Sequence, residues 1–216
     1  MQGETAICVN IGAAEKTIGI QMSHRTEPLP PLSGLPHIIR ELRYHEASRQ
    51  ILGFVLCIVF AVIAQPIPWA LYLTTVIVVL GVVVRMWASG FIMKNKELAT
   101  NGPYALVRHP LYVGNILIVY AFAGGSGVWW TFLVATAFFV FYYPPAIEYE
   151  DRKLCAIFGD AWREFAKHTP ALLPAFGGRQ RDIGGHWSFK MSMKANVEPV
   201  IAVFLLACFY YIFTRL

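Results

Sequence analysis

Two segments of the chain hold residues whose types and spacing could do chemistry. The first is Arg108-His109-Pro110-Leu111-Tyr112-Val113-Gly114-Asn115. Pro110 biases His109 away from helical dihedrals and is itself well placed at the first position of a helix. A helix starting there presents unpaired main-chain N–H groups and the positive end of its dipole. An anion, such as the carboxylate of an amino-acid-like cofactor, is stabilised in such a place. Tyr112 falls in the first turn, and Gly114 leaves room for a close neighbour. The same residues also suit an interfacial loop, with Arg108 and His109 meeting lipid phosphates.

The second segment is 146–168. Ile147, Leu154, Ile157, Phe158, Ala161, Trp162 and Phe165 recur at helical spacing, which predicts a helix with one apolar face. Glu150 falls within that stripe, between Ile147 and Leu154, and Asp151 lies beside it. A carboxylate so placed needs a partner, because burying an unpaired charge is unfavourable. The candidates are a cationic ligand, ribose hydroxyls, or an ion pair with Arg85 or Arg108. Neither segment sets a nucleophile beside a base. The four cysteines show no CxxC or Cys/His ligand spacing, so no metal site is expected.

The elements that position these residues are apolar. The chain is 56% hydrophobic and only 14% charged, where soluble proteins carry roughly 25%. It is expected to be an all-α, polytopic helical membrane protein. Apolar runs at 51–65, 69–93, 111–123, 128–143 and 197–213 predict about five transmembrane helices. Segment 146–168 adds a helix at the cytoplasmic face. Breaks are expected at Gln65-Pro66-Ile67-Pro68, at Gly124-Gly125-Ser126-Gly127 and at Pro144-Pro145. Residues 1–36 read as a flexible N-terminal arm, and 37–216 as one membrane domain whose motif core is 80–175. Residues 37–50 suit an interfacial helix leading into the membrane, and the last few of them could extend the short first run, with Arg49 snorkelling to the surface.

Charge placement orients these elements. Of 18 Lys and Arg, five lie in 1–50, three in 94–110 and eight in 148–195, while the turns around 65–68 and 124–127 hold none. Positive charge marks the cytoplasmic side. The N-terminus and both chemical segments are therefore expected there, with the C-terminus across the bilayer. The net charge of +5 is not gathered into a basic stripe, so no nucleic-acid partner is expected. Arg85, inside the second span, is a functional candidate because ionisable residues are unfavourable in a bilayer.

The motifs resemble the isoprenylcysteine carboxyl methyltransferase and phospholipid N-methyltransferase superfamily of integral membrane enzymes. The matching residues are Gly102-Pro103-Tyr104, Val107 to Gly114, the pair Glu150-Asp151, and then Leu154, Phe158-Gly159, Trp162, Phe165 and Pro170. The resemblance implies S-adenosylmethionine as cofactor, held without a dinucleotide-binding fold. It implies that His109, Tyr112 and Glu150 contact the cofactor, that Arg108, Gly114 and Asp151 complete its site, and that a membrane lipid or lipidated acceptor enters from the bilayer. Members that methylate a prenylcysteine carboxylate tend to carry Arg about one turn before the acidic pair. Ala146 stands there, which makes Arg163 and Arg85 the candidate catalytic arginines. A phospholipid amine or a small thiol is the alternative acceptor. Two other readings are a sterol-reductase-like protein, from Phe158-Gly159-Asp160-Ala161-Trp162, and a non-catalytic scaffold built on a Glu150–Arg108 pair.

Overall fold

The computed structural model describes residues 33–44, 46–92, 97–174 and 183–216. All regular structure among them is helical. Helix α1 is Leu35–Tyr44, α2 Glu46–Val62, α3 Pro68–Ser89, α4 Pro110–Gly125, α5 Trp130–Phe158, α6 Asp160–His168, α7 Phe189–Asn196 and α8 Glu198–Phe213. A 3-10 turn, Gly102–Ala105, precedes α4. The expected N-terminal arm, 1–36, lies outside the described residues except for its last four.

Helices α2, α3, α4, α5 and α8 coincide with the five apolar runs of the sequence. Two of them, α3 and α5, are long and apolar enough to cross a membrane by length and composition. Helix α3 has 22 residues, about 33 Å at 1.5 Å per residue, against a hydrocarbon layer of about 30 Å. Pro68 opens it, where a missing N–H leaves nothing unsatisfied. Its inner stripe, Leu71, Thr74, Val78 and Val82, is buried. Its outer stripe, Leu73, Val76, Leu80 and Val83, is equally apolar yet exposed. A helix that is apolar on the face it leaves uncovered suits lipid rather than water.

The Gln65 N–H donates to the Ser126 carbonyl at 2.7 Å, so the α2–α3 and α4–α5 turns meet at one end of the bundle. These are the two turns that lack Lys and Arg. Gly127, at φ +69°, sits where a Cβ would strike the Gln65 carbonyl. Tyr72 meets Phe213 edge-on at 5.9 Å, so α8 ends at the same level. Between the ends, Phe60, Leu71, Phe122 and Ile212 are fully buried.

The structure departs from the sequence pattern in three places. Pro144-Pro145 does not stop the fourth span, because α5 runs through both prolines to Phe158. A proline at 145 removes the N–H that would bond the Phe141 carbonyl. That carbonyl instead accepts from Arg43 Nε of α1 at 3.0 Å, and the Arg43 guanidinium lies 5.2 Å from the Phe141 ring centroid. Segment 146–168 is not one helix either. Gly159 takes φ +54°, which ends α5 and starts α6 on a new course. Arg49, finally, does not snorkel: α2 begins at Glu46, which carries Arg49 inside the bundle at 6% exposure.

The α3–α4 crossing holds the next element in place. A Cβ on Gly114 would meet the Gly81 carbonyl at 2.9 Å and the Arg85 stem, and a Cβ on Gly81 would meet the Gly114 carbonyl at 3.0 Å. Small residues at such a crossing let two backbones touch. The space expected beside Gly114 is thus filled by α3. Gly114→Val should destabilise the protein by about 1–3 kcal/mol through overpacking. A thermal melt in detergent reads this as a midpoint lowered by several degrees; an unchanged midpoint would mean that the crossing can relax.

Candidate functional site

The site lies at the end of the bundle away from the paired turns, in a cavity of about 790 Å³. Its floor is set by the start of α4. His109 caps that helix with non-helical dihedrals, φ −123° and ψ 63°, and Pro110 occupies its first turn. The residues before it are strapped from outside: the Arg108 N–H donates to the Pro170 carbonyl at 2.8 Å, and the His109 N–H to the Ala171 carbonyl at 3.1 Å. The terminal Pro of the motif thus fixes the approach to α4, and those two donors are taken by main chain rather than left for an anion.

Helix α5 brings the acidic pair to the same place. Asp151 is the structural carboxylate. Its Oδ1 lies 2.9 Å from His109 Nε2 and its Oδ2 3.3 Å from Arg108 Nη2. Arg108 also lies over the Trp162 ring of α6, 5.5 Å from its centroid. Glu150 is placed differently. It accepts from the Tyr112 hydroxyl at 2.7 Å and lines the cavity. Neither Arg85 nor Arg108 pairs with it, because each has another carboxylate. Among the described residues Glu150 has no basic partner, and the Glu150–Arg108 pair of a scaffold does not form.

Tyr112 is the hub of this arrangement. Its ring stacks on His109 at 5.3 Å and 17°, and meets Tyr143 of α5 at 5.0 Å. Packing on both sides aims its hydroxyl at Glu150. Tyr104, from the 3-10 turn, also lines the cavity. Burial holds its phenol well above the ordinary value; the Glu150 and Glu198 carboxylates push it the same way, while Arg85 opposes them. It is therefore a neutral hydrogen-bonding group throughout the physiological range.

The two candidate catalytic arginines are separated. Arg163 does not reach the cavity. On α6 the buried position is Trp162, and the next residue turns outward, where Arg163 pairs with Asp160 at 2.7 Å. Arg85 does line the cavity, but it is held: Nε and Nη2 donate to the two carboxylate oxygens of Glu198 at 3.0 and 2.6 Å, and Nη1 donates to Asn115. The fork-to-fork geometry fixes both side chains. Glu198, in the first turn of α8, is 3% exposed and is the residue that sequence reasoning missed. A single carboxylate opening an otherwise apolar run was the available signal. Arg49 is the second such residue; it lines the cavity with its guanidinium 5.0 Å from the Tyr112 ring centroid.

The described residues thus bring Arg108, His109, Tyr112, Glu150 and Asp151 together, while Gly114 serves the helix crossing and Arg163 the surface. Residues 48–161, more than half of the chain and spanning both motif segments, match the phospholipid methyltransferase family. The chain belongs to that family. This phospholipid methyltransferase family member is also similar to two metal-resistance proteins. It is 41% identical over 101 residues to the cobalt-zinc-cadmium resistance protein CzcN of Cupriavidus metallidurans, covering 44% of each chain. It is 37% identical over 100 residues to the nickel-cobalt-cadmium resistance protein NccN of Alcaligenes xylosoxydans xylosoxydans, covering 45% of this chain and 46% of the other. The aligned part is thus less than half the length of either relative. No solved structure matches the chain.

Proposed function

We propose that the protein transfers a methyl group from S-adenosylmethionine to a lipid or lipid-linked acceptor, as a multi-pass membrane enzyme whose site faces the cytoplasm. The observation that carries this reading is Glu150, a carboxylate lining the cavity with a phenol as its hydrogen-bond donor and no basic partner among the described residues. Such a group is completed by a cationic or hydroxyl-bearing ligand. The cavity falls within the roughly 300–1,000 Å³ usual for small-molecule sites. The family supports the reaction class.

Bound S-adenosylmethionine supplies a methyl group on a sulfonium, and its transfer to an acceptor lone pair leaves a neutral thioether. The chain has little acid–base work to do in that reaction. Its tasks are to hold the acceptor about 3–3.5 Å from the methyl carbon and to exclude water. Tyr112 orients Glu150, and His109, Asp151 and Arg108 hold the start of α4 so that Tyr112 is fixed. The apolar outer stripe of α3 is exposed, which suits a protein that works against lipid. The acceptor is a carboxylate, a phospholipid amine or a thiol. The names of the relatives add a setting, resistance to divalent metals, which the enzyme would serve by altering a membrane component.

The test is transfer of labelled methyl from S-adenosylmethionine into a lipid extract by purified protein. Label entering the lipid phase is the expected result. Binding of the cofactor with no label in any lipid fraction would remove the lipid acceptor, and binding of NADPH instead would favour a reductase.

A further inference from the structure

We infer that Arg49 is the carboxylate-binding residue of the site and holds the amino-acid end of the cofactor. Arg49 lies near the start of α2, well before the motif segments, and is more than nine-tenths buried. Its side chain lines the cavity, and its Nη1 has no hydrogen-bond partner. The other two arginines of the cavity are matched, Arg85 by Glu198 and Arg108 by Asp151. Arg49 has no carboxylate among the described residues. The Tyr112 ring beneath it offsets part of the desolvation of a buried guanidinium, but a ring face is a weaker partner than an anion.

The unmatched charges sit against one side chain. Arg49 lies against the face of Tyr112, and Glu150 accepts from its hydroxyl. One buried ring therefore carries an unpaired cation against its face and an unpaired anion at its tip. These two groups are not an ion pair with each other. A ligand that supplies a carboxylate to the first and an ammonium or hydroxyl to the second satisfies both at once. The amino-acid end of S-adenosylmethionine is such a zwitterion. Guanidinium suits the task, because its planar fork matches a carboxylate with two parallel hydrogen bonds.

The inference rests on the reading that the cavity takes S-adenosylmethionine, and the experiment separates the two. Wild-type protein in detergent is titrated calorimetrically with S-adenosylmethionine and with its decarboxylated form, which keeps the sulfonium and the amine. Loss of the carboxylate should weaken binding by about tenfold or more. Arg49→Gln should weaken S-adenosylmethionine by a similar factor and the decarboxylated ligand by less than about twofold. Arg49→Lys, which keeps the charge but not the fork, should fall between. A wild type that binds both ligands alike overturns this inference alone, and needs no variant to fold. Equal losses for both ligands in Arg49→Gln also overturn it, because they assign Arg49 to the support of Tyr112. A wild type that binds neither ligand overturns the cofactor reading and this inference with it.

Discussion

Glu150→Ala is expected to leave the protein inserted and folded while weakening S-adenosylmethionine by about 10- to 100-fold. The range is that of one lost charge-assisted hydrogen bond at a partly buried carboxylate. The fold should survive because Glu150 holds no ion pair among the described residues and accepts only from Tyr112. Removing it therefore strands no buried cation. Tyr112→Phe is the companion variant. It keeps the ring against His109 and Tyr143 but frees Glu150 to swing, so it should weaken binding by a smaller factor. Calorimetric titration with a parallel thermal melt reads both properties. Wild-type affinity in Glu150→Ala would take Glu150 out of the site, and a collapsed melt would give it a structural role instead.

Glu198→Ala is expected to act in the opposite way, with a large effect on stability. Arg85 is 15% and Glu198 4% exposed at their side chains, and they meet through two hydrogen bonds. Removing one partner of a buried pair leaves the other charge uncompensated, at about 3–5 kcal/mol. Asn115 offers Arg85 an oxygen but no charge, so it cannot replace the carboxylate. The detergent melt of Glu198→Ala should fall by far more than that of Glu150→Ala. The double variant Arg85→Met with Glu198→Leu should recover much of the loss, because neither charge is then buried. A single variant as stable as wild type would show that water reaches Arg85. The pair also makes α8 a structural part of the bundle, although it lies beyond residues 48–161 of the family match.

The contrast between these two carboxylates shows what was legible in the sequence. Apolar runs of the right length fixed the five main helices, because a helix can bury or offer to lipid only what its composition supplies. Pro68 and Pro110 marked helix starts, since a proline is best placed where its missing N–H is not needed. Arg108-His109-Pro110 and Glu150-Asp151 were found by residue type and spacing alone, and their convergence could be expected on the strength of a resemblance. The prolines at 144 and 145 misled, because the partner that compensates for them, Arg43, lies on another helix.

The tertiary structure decided the pairing of charges. Sequence placed Arg85, Arg108, Glu150 and Asp151 near one another but could not say which would neutralise which. Long-range geometry gave Asp151 to Arg108 and His109 and Arg85 to a carboxylate 113 residues away, and left Glu150 with the Tyr112 hydroxyl and no basic partner among the described residues. It also turned Arg163 outward and filled the space at Gly114 with α3. Hydrophobic periodicity is a local property that the chain carries in every short stretch. The partner of a buried charge is set by helix packing across the whole bundle, and no short stretch of the sequence contains it.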